Sequence, residues 1–124
     1  MGTGSSKPMS DIRNLQAKIQ QFCEARDWDQ FHGAKDLAIG VTTEGAELLD
    51  LFRFKNEAEV LAKMSEAAFK EKVSDELADV FFFVLRFAQM NNIDLSESVL
   101  RKLEKNAAKY PVETAKGSNK KYNE

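Results

Sequence analysis

The sequence predicts an all-α protein, four main helices arranged as a bundle, and three observations predict it. Apolar residues recur at spacings of three and four in three separate segments, and a capping signal opens a fourth. No stretch shows the two-residue alternation of a half-buried strand, and the segments are separated by Gly, Asn and Pro. Ile12, Leu15, Ile19, Phe22 and Cys23 predict a first helix over residues 10 to about 26, with Ser10 as its N-cap. Residues 27–33 (DWDQFHG) break that rhythm and read as a loop. Leu37, Val41, Leu48, Leu51 and Phe52 predict a second helix over residues 35–54, followed by a charged connection with a short helical piece over 55–64. Phe69, Val73, Val80, Phe83, Phe87 and Met90 carry a third helix over 66–91. Its middle is apolar on every side through Phe81, Phe82, Val84 and Leu85, so burial all round is expected, by the same domain or by a partner chain. Asp94 and Glu97 resemble a capping box opening a fourth helix to about residue 108, and Pro111 stops it.

Composition narrows the function. The chain has 124 residues, and 18 Lys and Arg against 20 Asp and Glu leave a net charge of −2, which suits one domain and gives no broad basic surface for duplex nucleic acid. One Cys and one His cannot build an internal disulfide or a structural zinc site, and a reducing, cytoplasmic setting fits. The apolar run from Val80 to Leu85 is far below the roughly 20 residues of a spanning helix, so no membrane role is expected. Residues 1–8 (MGTGSSKP) read as an expression scar, 9–111 as the helical domain and 112–124 as a polar tail expected to be mobile unless a ligand or neighbour holds it.

The informative residues are carboxylates that interrupt the apolar stripes. In the second helix the line Leu37, Val41, Leu48 passes through Glu44, with Glu47 at i+3; in the third, Phe69, Val73, Val80 passes through Glu76, with Asp79 at i+3. Such pairs are commonplace on a solvated helix face. Two of them, each aimed at the core, are a different matter, because burying an unpartnered carboxylate costs several kcal/mol. Protonation, basic partners or a bound cation resolve the conflict. The two helices offer few inward-facing basic residues, and oxygen donors suit a hard divalent ion, so Mg²⁺ is the expected cofactor. A di-iron site is disfavoured because it needs Glu-x-x-His on its helices, a spacing His32 does not provide. An Mg²⁺ carboxylate cage keeps positions open for water and substrate phosphates, which points to phosphoryl or pyrophosphoryl chemistry. Trp28, Phe31 and His32 read either as core anchors or as a stacking wall for a nucleobase. Lys102, Lys109, Lys120 and Lys121 read as a solvated face or, if the tail folds over the site, as phosphate partners.

Five stretches taken in order, ARDWDQFH (25–32), EGAELLDLFRFK (44–55), DELADV (75–80), NIDLSESVLRKLEKNAAKYP (92–111) and SNKKY (118–122), resemble the all-α MazG-like nucleotide pyrophosphohydrolases and, within them, the dCTP pyrophosphatase branch. The resemblance implies Mg²⁺-dependent hydrolysis of a nucleoside triphosphate to monophosphate and pyrophosphate, dCTP or a related deoxynucleotide favoured, with Glu44, Glu47, Glu76 and Asp79 as the metal-binding and catalytic acids. It places the base-binding segment on Trp28, Asp29, Gln30, Phe31 and His32, further pocket aromatics on Phe54 and Phe83, and phosphate contacts on Lys102, Asn106, Lys109, Lys121 and Tyr122. It also implies a homo-oligomer, a dimer or tetramer. Phe54 and Phe83 stand where close relatives carry Trp and Tyr, and Ile19 where some carry His, departures that bear on base selectivity more than on catalysis. A non-catalytic helical interaction module and a hydrolase of a non-nucleotide pyrophosphate are the rival readings.

Overall fold

The computed structural model describes residues 11–121, which fall into two compact units, one running to Asn92 and one starting at Ile93. The expected scar, the Ser10 cap and Tyr122 lie outside the described residues. No strand occurs among the described residues, so the all-α class is observed.

The first unit contains α1 (Asp11–Ala25), α2 (Ala34–Asp50), α3 (Glu57–Met64) and α4 (Ala67–Met90). Helix α4 is its spine, packing most extensively on α2 and to a lesser extent on α1 and α3. A glycine sets how closely α2 and α4 approach. Gly40 is buried in the middle of α2, and a Cβ built there would lie 2.4 Å from the Phe83 ring of α4, so only a residue without a side chain fits. Leu37, Val73, Leu85, Ala88 and Cys23 form the small buried core.

That core is narrower than the periodicity predicts. Of the first-helix stripe only Cys23 is buried, while Leu15 and Phe22 are exposed. The all-apolar middle of α4 is not covered on every side within the chain, since Phe81 and Leu77 remain exposed beside the buried Leu85 and Ala88. A unit of four helices has too much surface relative to its volume to enclose every face of its central helix.

Element ends also depart from expectation, each for a local reason. Helix α2 stops at Asp50, short of the expected residue 54, and a turn follows in which Phe54 takes a left-handed backbone (φ 63°). The short helical piece expected in the connection after it is α3, opened by a full capping box of Asn56 and Glu59: the Asn56 side chain accepts from the Glu59 N–H at 2.9 Å and the Glu59 carboxylate accepts from the Asn56 N–H at 2.8 Å. Replacing Asn56 with Ala should lower stability by about 1 kcal/mol, seen as a reduced denaturation midpoint. Asp27 (φ 58°) and Asn92 (φ 57°), residue types that tolerate this conformation, turn the chain after α1 and α4. The expected loop between α1 and α2 contains one 3₁₀ turn, Asp29–Phe31.

The second unit contains α5 (Leu95–Lys109) and α6 (Val112–Ala115). The Asp94 side chain accepts from the Glu97 N–H at 3.0 Å, the forward half of the expected capping box. The expected mobile tail begins with the helical turn α6, and Gly117 (φ 79°) takes a backbone that favours glycine after it.

Candidate active site

The close α2–α4 packing brings the acidic pairs together. One carboxylate oxygen each from Glu44 of α2 and from Glu76 and Asp79 of α4 lie within 4.8 Å of one another. Glu44 and Glu76 are half-buried and Asp79 is exposed. Glu47 and Asp79 are exposed, so the expected burial of all four acids in one core gives way to two half-buried and two exposed carboxylates, of which Glu44, Glu76 and Asp79 form the tight cluster. The charge of Glu47 is still felt. Desolvation, then Asp79, then Glu47 raise the Glu44 carboxyl above its ordinary pKa. Desolvation, followed by Glu47, Asp79, Glu44 and Asp75, does the same for Glu76. Every electrostatic cause is another carboxylate, with no cation among them, so the cluster is a concentration of uncompensated negative charge. Such an all-oxygen donor set fits a hard divalent cation.

The loop between α1 and α2 is pinned by a residue that the periodicity concealed. Arg86 of α4, 1% exposed, donates from Nε to His32 Nδ1 at 3.0 Å, from one terminal nitrogen to Gln89 Oε1 at 2.7 Å and from the other to Asp29 Oδ1 at 2.5 Å. A lone Arg directly after six apolar residues was the available signal. Gln89 in turn donates to the Gln16 carbonyl at 2.9 Å, and Gln16 to the Leu85 carbonyl at 2.9 Å, so loop, α1 and α4 share one network. Arg86 therefore answers Asp29 and His32, and the scarcity of inward basic residues holds only for the acidic trio.

Trp28 is partly exposed and meets Phe22 edge-on at 5.5 Å and His32 at 6.4 Å. Phe31 is 61% exposed, which removes it from the core-anchor reading and leaves a ring face available for stacking. Gln30 donates to the Asp27 carbonyl at 3.0 Å and stabilises the turn itself. Phe83 is half-buried, wedged between Gly40 and Phe82, whereas Phe54 is 94% exposed with Arg53 over its ring at 5.0 Å. These two aromatics are therefore in different environments, and the structure does not join them in one pocket wall. In the second unit Lys102 is exposed, Asn106 is half-buried, and Lys109 and Lys121 line a cavity of about 190 Å³ with Tyr110, Ser118 and Lys120.

A helical unit with acids from two neighbouring helices converging at its rim is compatible with a divalent cation held between helices. Residues 39–124 match the MazG-like family, and the chain belongs to it. It is 33% identical over 114 residues to dCTP pyrophosphatase 1 of Rattus norvegicus, covering 92% of this chain and 65% of that protein. The Bos taurus dCTP pyrophosphatase 1 is 34% identical over 119 residues, with 95% and 69% covered. The chain thus spans about two thirds of the length of these relatives. A crystal structure of a pyrophosphatase from Archaeoglobus fulgidus superposes with a TM-score of 0.78 at 30% identity, covering 87% of this chain and 99% of that one.

Proposed function

We propose that the protein is an Mg²⁺-dependent nucleoside triphosphate pyrophosphohydrolase that converts a deoxynucleoside triphosphate, dCTP or a close analogue, to the monophosphate and pyrophosphate. The convergence of Glu44, Glu76 and Asp79 without a cationic neighbour among their perturbing charges carries the reading. The dCTP pyrophosphatase relatives and the pyrophosphatase neighbour support the reaction class.

Glu44, Glu76 and Asp79 would hold the cation, with Glu47 close enough to complete the negative field. When bound, a divalent ion supplies neutralisation of phosphate oxygens and a water of lowered pKa. The chain's own contribution is positioning: carboxylates left with free oxygen atoms orient the attacking water in line with the phosphorus. Trp28 and the exposed ring of Phe31 offer stacking surface for the base, which tolerates several bases, while selectivity falls to hydrogen bonds at its edge. The resemblance implies that Lys102, Asn106, Lys109, Lys121 and Tyr122 meet the phosphates and that Phe83 meets the base, whereas Phe54, 94% exposed, is not joined to Phe83 in one wall. Exposed Leu77 and Phe81 on α4 support a homo-oligomer. No helix among the described residues is long and apolar enough to cross a membrane, which accords with a cytoplasmic enzyme.

The test is a panel of nucleoside triphosphates with Mg²⁺, scored for both products. Stoichiometric monophosphate and pyrophosphate, lost on chelation, is the expected result. Inorganic phosphate as the product, or no effect of nucleotide and Mg²⁺ on melting, would defeat the proposal in favour of another phosphatase or of an interaction module.

A further inference from the structure

We propose that Arg86 is a positioning residue that fixes His32 as the neutral Nε2–H tautomer, so that the Trp28–His32 turn presents one hydrogen-bond donor to an acceptor on the nucleobase edge. The inference rests on the nucleotide reading above and deepens it.

The geometry leaves little freedom. The Arg86 Nε bears a hydrogen and can only donate, and it lies 3.0 Å from His32 Nδ1. That nitrogen must therefore offer a lone pair, which places the ring proton on Nε2 and excludes the doubly protonated form while the contact persists. Arg86 has no alternative pose. It is 1% exposed, and its other two nitrogens are committed to Gln89 and Asp29. Gln89 is itself anchored to α1 through the Gln16 carbonyl, so the guanidinium is held from both sides. Burial first and the Arg86 charge second lower the His32 pKa, with Asp29 opposing, which agrees with a ring kept neutral. No hydrogen bond to His32 Nε2 is formed among the described residues, so the donor that the arrangement creates is not consumed by the fold. A neutral imidazole with a settled donor can discriminate: a base presenting a carbonyl or ring nitrogen is accepted, and one presenting an amino group meets a second donor.

The chain contains a single histidine, so its ring nitrogens can be read without assignment ambiguity in untagged, ¹⁵N-histidine-labelled protein. Long-range ¹H–¹⁵N spectra of the wild type should show Nε2 protonated and Nδ1 bare across neutral pH, with protonation only below the ordinary histidine range. Arg86→Met, of similar length but without donors, should give a tautomer mixture and an upward-shifted titration. Arg86→Lys, which keeps the charge and the fold but cannot aim an Nε–H, should do the same. In steady-state assays both variants should raise KM a few-fold, because only the rings that carry the Nε2 proton can donate, with kcat little changed. An unchanged tautomer in both variants overturns the proposal, as does an altered tautomer with unchanged KM. Should the wild type hydrolyse no nucleotide, the proposed function fails separately. Titration with α,β-imido-dCTP and Mg²⁺ then decides: a shifted Nε2 resonance supports the donor role, and an unmoved one ends it.

Discussion

Glu76→Gln is expected to cut the proposed Mg²⁺-dependent turnover by orders of magnitude and, in the same protein, to raise the melting temperature measured without divalent cations. The two effects have one origin. Glu76 is surrounded by the charges of Glu47, Asp79, Glu44 and Asp75, and its carboxyl is held above its ordinary pKa by desolvation first and by those neighbours second. Gln keeps the shape and removes the repulsion, so the cation-free fold gains; it also removes a ligand oxygen, so the gain on adding Mg²⁺ shrinks. A fall in turnover of about 10²–10⁴-fold is expected, the range for losing a group that acts directly in the transition state. The pH dependence has a definite sign. Because the folded pKa values of Glu44 and Glu76 lie above the unfolded ones, the folded state holds more protons between them. Cation-free stability is therefore highest below the unfolded pKa and declines as pH rises through the folded one. Saturating Mg²⁺ should flatten that decline. Melts across pH with EDTA or Mg²⁺, for wild type and Glu76→Gln, check all of this; a variant that melts lower without cation and still responds fully to Mg²⁺ sinks the metal-centre assignment.

Gly40→Ala costs the fold about 1–3 kcal/mol and weakens the response to Mg²⁺, although the substitution improves helix propensity. Alanine in a helix interior gains up to about 1 kcal/mol over glycine. Against that, the new Cβ would fall 2.4, 2.5 and 2.8 Å from carbons of the Phe83 ring, distances at which the helices or the ring must shift. Steric cost wins. The consequence reaches the site because Glu44 lies one turn beyond Gly40 on α2 while Glu76 and Asp79 ride on α4. Spreading α2 from α4 separates the donors. Gly45→Ala on the same helix is the control: nothing lies within 4 Å of its added Cβ, so it should be neutral or stabilising. Denaturant midpoints, with and without Mg²⁺, should fall for Gly40→Ala and hold or rise for Gly45→Ala; a Gly40→Ala protein as stable as wild type would show that the helices are not in contact there.

Much of the candidate site is legible in the sequence. Glu44, Glu76 and Asp79 stood out because a charged residue on an apolar stripe contradicts the burial that the stripe demands, and a shared cation is the simplest resolution. Glu47 fits the same spacing yet lies outside the trio, since i+3 spacing says that two residues share a helix face and nothing about how closely each approaches the neighbouring helix. Arg86 escaped notice for the opposite reason. One Arg in an apolar run reads as a snorkelling side chain, and only its three partners, 54 to 57 positions away or three along the helix, turn it into a buried clamp.

Local chemistry was sufficient to specify that this chain forms helices, roughly where each begins, and which acids are out of place, because helix period, caps and turn residues act within a few positions of each other. Packing alone decided the rest. The approach of α2 to α4 over Gly40, the choice of three carboxylates from four, the exposure of Phe54 and the clamp of Arg86 on His32 all depend on residues distant in the chain meeting at ångström range. Periodicity along one helix carries no information about distances to another.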